Sequence, residues 1–410
     1  MLRFCGFLSL AFFLSALSLC GQNRKPKVRA LTVFVRVGNQ HLPSQLSEAL
    51  SMLRDAKRAY EQHGYEVETL RMTTQPFSEL VKEMPEEQAL KFFHEINAAA
   101  VRDGYIVNIG PAMMAASDPT SPADLLARVL AENAQLNGSI VVAQQDGIHW
   151  NAVRSAAKVM KYLEENTRQS GGNFQFAASA MLGPYDPFFP SSYYTGADHQ
   201  FSVGLESANL VQSALASNPG KVDQAEKALA ESLGQYVAEC EKIAREMENQ
   251  SGWTYAGLDP TPAPAGDVSI GDAIEKFTGR KFGSSGTITA AALITRAVKS
   301  VPAKRVGFSG LMVPVLEDNT LAQRWSDGAY GIDSLLAYSA VCGTGLDTVP
   351  LPGDVTEDQL AQIIGDMATL AYRWNKPLSA RLLPVNGKTA GEKTDFNNPH
   401  LTNAVLQKLP

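Results

Sequence analysis

Apolar and polar residues alternate along 27–37 (KVRALTVFVRV), which is the period-two signature of a strand. After a polar loop the spacing changes to that of a helix over 46–62, stopped by Gly64 as the residue beyond its end. The alternation then repeats down the chain. Strands are expected at 65–71, 104–109, 138–143, 173–180 and 201–205. Helices are expected at 77–103 (broken at Pro85), 121–133, 149–167, 208–217 and 220–249. A strand at 253–258 precedes helices at 270–277 and 288–300, and a further strand at 306–315 is interrupted by Gly310. Helices at 320–327, 332–338 and 357–374 and an edge-like strand at 376–384 complete the pattern. Short strands alternating with longer helices predict βαβ units and a mostly parallel sheet, with right-handed crossovers. Periodicity alone does not say whether that sheet stays open or closes into a barrel.

Two stretches depart from the alternation. Residues 183–198 (GPYDPFFPSSYYTGAD) carry five aromatics and three prolines without any period. Sixteen irregular residues inside a compact domain are either a loop packed over the core or the wall of a ligand pocket. Its aromatics Phe188, Phe189, Tyr193 and Tyr194, with His199 and Glu206 just beyond, are therefore candidate ligand-binding residues. The second stretch, 257–272 (GLDPTPAPAGDVSIGD), has prolines at 260, 262 and 264, which remove backbone donors and bar it from a sheet ladder. It holds Asp259 on a stiff crossing at the C-terminal end of a strand, where α/β folds place their sites. Ser269, with Asp272 three residues on, caps the helix that follows.

Charge narrows the function classes. The 36 Lys and Arg against 42 Asp and Glu give a net charge of −6 with no basic stripe, which argues against a nucleic-acid partner. At the N-terminus, Arg3 followed by the apolar run 4–19 and small residues at 18–21 reads as a signal peptide over 1–20. Export to the periplasm or medium is the expectation. Leu17-Ser18-Leu19-Cys20 resembles a lipobox, though Leu19 fits it poorly. No later run reaches the ~20 apolar residues of a membrane span. The expected organisation is a linker at 21–26, one domain over 27–385 and a polar C-terminal tail over 386–410. Cys240 and Cys342 remain after cleavage, so a disulfide framework is excluded and one bridge stays open.

Nucleotide-binding loops, zinc-protease motifs and nucleophile elbows are absent. The six histidines show no metal-ligand spacing, so neither a metal nor a cofactor is assigned. Gly-Leu precedes both Asp259 and Asp347, each near a strand–loop boundary. A carboxyl fixed in a dry pocket can have a raised pKa and act as acid or base. Cys342, followed by Gly-Thr-Gly, is the candidate thiol. The GSSGT loop, ending in Gly286 and Thr287, could cradle an anion at a helix N-terminus.

Six segments in order carry a resemblance: VRALTVFVR, 187–211, 257–275, GTITAAALIT at 286–295, FSGLMVPVLED at 308–318 and AVCGTGLDTVPLPGD at 340–354. Together they resemble the family catalogued as domain of unknown function 711 over nearly all of the chain after residue 20. That family's fold is similar to pyruvate formate-lyase and the glycyl radical enzymes. The resemblance implies one large α/β domain, a ten-stranded barrel with a loop inserted inside it. It would also make Cys342 tempting as a radical-relay cysteine. Glycyl radical chemistry is not expected, however. The Arg-x-x-Gly-aromatic segment has no counterpart near the C-terminus, and the only similar string, Arg102 to Tyr105, lies mid-chain.

Two function classes follow. One is an enzyme acting on a small metabolite by acid–base or thiol chemistry, with Asp259, Asp347 and Cys342 converging at a barrel mouth. The other is a non-catalytic exported protein that captures a small ligand with the same aromatic wall. A homo-oligomer is compatible with either.

Overall fold

The computed structural model describes residues 25–196 and 198–409. The expected signal segment 1–20 and most of the linker lie outside them.

Five strands form a parallel half-sheet in the order β1 (Lys27–Phe34), β2 (Val67–Thr73), β3 (Ile106–Pro111), β4 (Leu136–Gln144) and β6 (Phe176–Ala180). A two-residue strand β5 (Gly147–Ile148) folds back on β4. In the second half β7 (Gln200–Glu206) runs parallel to β8 (Thr254–Asp259), and β9 (Gly345–Pro352) parallel to β10 (Leu378–Val385). The halves meet at two antiparallel seams, β1 with β7 and β6 with β10. The expected mostly parallel sheet is thus two parallel halves running in opposite directions.

The ladder is open between β8 and β9, and residues 304–316 lie across that gap. Leu258 N–H donates to Lys304 O (2.8 Å) and Val306 N–H to Leu258 O (3.2 Å) on the β8 side. On the β9 side Val315 N–H donates to Asp347 O (2.9 Å). Both contacts are parallel bridges. The sequence pattern predicts a strand here, and the structure has an irregular segment in a strand's place. Ser309 at φ 47° and Gly307 at φ 67° break the extended run. The result is the expected barrel-like α/β fold, with its tenth stave reduced to isolated bridges.

Helices cover the outer face. Examples are α1 (Leu42–Gln62) on β1 and β2, α5 (Trp150–Asn166) on β4, α7 (Val222–Ser251) on β8 and α12 (Glu357–Trp374) on β10 and β6. Pro85 stands before α3 (Glu86–Asp103), where its fixed φ suits a helix start, and this breaks 77–103 as expected. Strand β9 goes against the sequence pattern, because Gly345, Pro350 and Pro352 argue against a ladder. It pairs along its length only with β10, so missing donors on its far side cost little. Conversely β10, expected as an edge, is central: it lies between β6 and β9. The tail folds back along the body. Thr402 N–H donates to Leu316 O (2.7 Å), and the Gln407 amide donates to Trp325 O (2.6 Å) and Tyr330 O (2.9 Å).

Inside the sheet runs the irregular loop 183–196, whose contacts reach strands on several sides. Thr32 of β1 and Arg71 of β2 both donate to Pro187 O, and Asn108 of β3 donates to Pro190 O (2.6 Å). Ser179 of β6 bonds Ser191 Oγ (2.8 Å), and Thr73 of β2 bonds Ser192 Oγ (2.9 Å). On β7, Gly204 leaves the room that Pro187 and Phe188 fill, since a Cβ there would sit 3.2–3.3 Å from them. The polar inward positions are thereby explained. An extended loop with unpaired carbonyls occupies the interior and needs donors from the wall.

Candidate functional site

Against the middle of the interior loop lies a cavity of about 90 Å³, room for a few waters. Phe188, Phe189, Pro190 and Ser191 of the loop form one side, and Ala263, Pro264, Phe308 and Met312 another. Arg29, Arg71 and Arg381 line it together with Glu317 and Asp347. Of these strand arginines only Arg381 is the lone charge of its strand, and that is a signal in the sequence that could reveal it: a lone charge mid-strand demands a partner inside.

Two of the three arginines are neutralised by the protein. Arg29 binds Glu206 (2.7 Å), Glu317 (3.1 Å) and Glu68 (3.2 Å). Arg381 donates to Asp347 Oδ1 (2.8 Å) and to Glu317 Oε1. Arg71 differs. Its Nε donates to Thr69 Oγ1 (2.9 Å) and its Nη1 to Pro187 O (3.1 Å), and its guanidinium lies 5.0 Å from the Phe189 ring. It is 7% exposed and has no carboxylate partner among the described residues.

Burial, aided by the Arg29 charge, pushes Arg71 down to about 9, so it is still a cation at neutral pH. Burial also raises Glu206, to about 7, against the pull of Arg29. Asp347 is raised by burial more than Arg381 lowers it. Arg29 and Arg381 are thus matched by Glu68, Glu206, Glu317 and Asp347, which leaves Arg71 as the cation of the lining that no carboxylate among the described residues contacts. A positive group placed this way favours an anion.

The sequence profile of the family described as "Uncharacterised ACR (DUF711)" matches residues 21–397. The chain belongs to the DUF711 family. It is 32% identical over 301 residues to a UPF0210 protein of Pyrobaculum aerophilum, covering 69% of this chain and 64% of that protein. It thus spans somewhat less than two thirds of that relative. A UPF0210 protein of Desulforudis audaxviator is 30% identical over 354 residues, covering 82% of this chain and 78% of the relative. One from Methanocaldococcus jannaschii is 25% identical over 375 residues, covering 85% and 81%.

In this DUF711 chain the expected convergence of Asp259, Asp347 and Cys342 is not observed. Of the three, Asp347 lines the cavity. Asp259 is fully buried and staples two loops together. Its Oδ1 accepts from Thr261 N–H (2.9 Å), Thr261 Oγ1 (2.6 Å) and Ser309 N–H (3.2 Å), and its Oδ2 from Phe308 N–H (2.8 Å). Cys342 is a buried free thiol just after α11 (Ile332–Ser339), and its carbonyl accepts from Lys376. Cys240 is likewise free, buried within α7, so no bridge joins the two.

Among the expected ligand-binding residues, Phe188 and Phe189 line the cavity, and Glu206 holds Arg29 from behind it. Tyr193 donates to Leu182 O, and Tyr194 packs against Phe34 and Tyr185. His199 stacks on Trp253 at 4.6 Å near the surface and meets Glu48 (3.3 Å). Gly286 and Thr287 begin α9 (Thr287–Ser300), where the Thr287 hydroxyl donates to Ser284 O rather than facing a ligand. Among the described residues no group of three or more His, Cys, Asp or Glu is placed to hold a metal ion. No helix there is long and apolar enough to cross a membrane.

Proposed function

We propose that this DUF711 protein is exported by its N-terminal segment and binds a small organic anion in the barrel cavity. Asp347 would serve as the acid–base group beside the ligand. The observation that carries this reading is Arg71, a buried guanidinium with protein partners that are all neutral. A buried cation that no carboxylate contacts directly is costly, and a bound carboxylate or phosphate would offset that cost through charge-assisted hydrogen bonds. Asp347, raised by burial, keeps a proton to higher pH than an ordinary aspartate, as a general acid at a ligand requires. Neither the Cys342 thiol nor Asp259 has a part in this reading.

The test is a thermal-shift panel of small carboxylates, phosphate and neutral amides of matched size, run on the wild type and on Arg71→Met. An anion at 100 times its dissociation constant stabilises by about 2.7 kcal/mol. The expected result is a shift with anions alone, abolished in the variant. If no anion raises the melting temperature, or Arg71→Met responds like the wild type, the proposal fails.

A further inference from the structure

The cavity also holds two neutral polar groups that the protein leaves without partners. The Thr344 hydroxyl is buried, 1% exposed for the residue, and makes no hydrogen bond among the described residues. Asn137, at the start of β4 and 8% exposed, has a side-chain amide with no partner there either. Both line the same cavity as Arg71. A buried hydroxyl is almost always hydrogen-bonded, so Thr344 calls for a partner, and the Asn137 amide at the same cavity offers a second polar contact.

Thr344 is also held in place by its neighbours, which explains the glycines of the CGTGLD motif. Gly343 crosses the backbone of Gly310 so closely that a Cβ on either would lie 2.7–2.8 Å from the other's main chain. Gly345 adopts φ 95°, where a side chain would collide with the Ser379 backbone. Ser379 N–H donates to Thr344 O (2.8 Å), and the Ser379 hydroxyl donates to the same oxygen (3.2 Å). The hydroxyl-bearing residue is thus fixed on both sides before any ligand arrives, which lowers the cost of using it for recognition.

Resting on the anion-binding reading above, we infer that the ligand is a small hydroxy acid. Its carboxylate lies on Arg71, and its hydroxyl is read by the Thr344 side chain and the Asn137 amide. A hydroxyl group both donates and accepts, as do the threonine hydroxyl and the asparagine amide, so each pairing can be satisfied in either sense. Phe188, Phe189, Phe308 and Met312 leave the rest of the cavity wall apolar, which suits a short carbon chain. A site built to bond a hydroxyl discriminates against the analogue lacking it, because its own polar groups are then left unpaired.

The experiment compares pairs of acids differing by one hydroxyl, glycolate with acetate and lactate with propionate, by calorimetric titration of the full chain. Thr344→Val and Asn137→Leu remove the two readers at nearly constant volume, and Thr344→Ser restores the hydroxyl. The wild type is expected to prefer the hydroxy acid by about ten-fold or more, from one well-formed hydrogen bond. That preference should fall several-fold in Thr344→Val and Asn137→Leu and return in Thr344→Ser. Binding of both acids with equal affinity by the wild type overturns the inference and leaves the role of Arg71 standing. A preference unchanged in both variants overturns the assignment to Thr344 and Asn137. If no acid binds at all, the anion-binding reading falls first and this one with it. Thr344→Val should melt no lower than the wild type, since it removes a buried unpaired hydroxyl.

Discussion

Replacing Asp186 by asparagine should flatten a fall in stability that the wild-type protein shows between about pH 4 and pH 7. Asp186 lies on the interior loop, fully buried, with Oδ1 accepting from Phe188 N–H (2.8 Å) and Oδ2 unpartnered. Asp259 is its neighbour across Gly307, where a Cβ would fall within contact distance of Asp259 Oδ2 and 2.6 Å from Asp186 Oδ1. Burial, then the Asp259 charge, holds Asp186 well above the usual carboxyl range, against the opposing charge of Arg71. Burial pushes Asp259 up to about 6, even though four donors favour its charged form.

The sign follows from linkage. A carboxyl raised in the folded state binds more protons there than in the unfolded chain. Its contribution is therefore fully present below the unfolded value near 3.8 and is lost as pH rises through the folded value near 6. A rise of that size corresponds to about 3 kcal/mol. Asparagine keeps the oxygen that accepts from Phe188, cannot ionise, and relieves Asp259 of a like-charged neighbour. Urea unfolding of both proteins at pH 4, 5, 6 and 7 gives the readout. The free-energy difference between variant and wild type should grow in the variant's favour as pH rises across this range. Parallel curves would refute the idea that burial and the Asp259 charge keep Asp186 protonated in the folded protein.

Other consequences are as direct. Asp318 accepts from Ser269 Oγ (2.6 Å) and from the first N–H groups of both α8 (Ile270–Thr278) and α10 (Asn319–Ser326). Asp318→Ala removes the cap of one helix and the support of another, at a cost of roughly 2–4 kcal/mol in urea unfolding. Cys342→Ser should leave any anion-induced melting shift intact, since the thiol is outside the cavity. Loss of that shift would return the thiol to the site. The Arg71→Met panel and the hydroxy-acid pairs, described above, test the ligand itself.

Sequence pattern alone was enough for the alternation of strands and helices, because each helix buries one stripe and each inner strand reads as an apolar run. The ends of helices were legible where chemistry marks them, at Gly64, Pro85 and Ser269. The irregularity of 183–196 was also visible, as was its richness in aromatics, and the family resemblance implied a loop inside the barrel without saying which one. What the pattern could not supply was direction and partnership. Strand β9 escaped because its prolines are tolerable only if one flank needs no donors, which depends on the tertiary position of its neighbours. The segment 304–316 kept its place in the sheet but not a strand's ladder.

The site followed the same division. Turn contexts pointed to carboxylates, and Asp259 proved to spend all its hydrogen-bonding capacity on two loops. Arg29 and Arg71 stand on the paired strands β1 and β2, and the curvature of the sheet brings Arg381 of β10 to the same cavity. Whether a guanidinium is neutralised by its own protein is a property of distances, and Arg71 stands apart for that reason. The sequence by itself determined the alternation of strands and helices and offered carboxylates and aromatics as candidates. The tertiary structure decided which side chains meet, and which buried guanidinium no carboxylate among the described residues contacts.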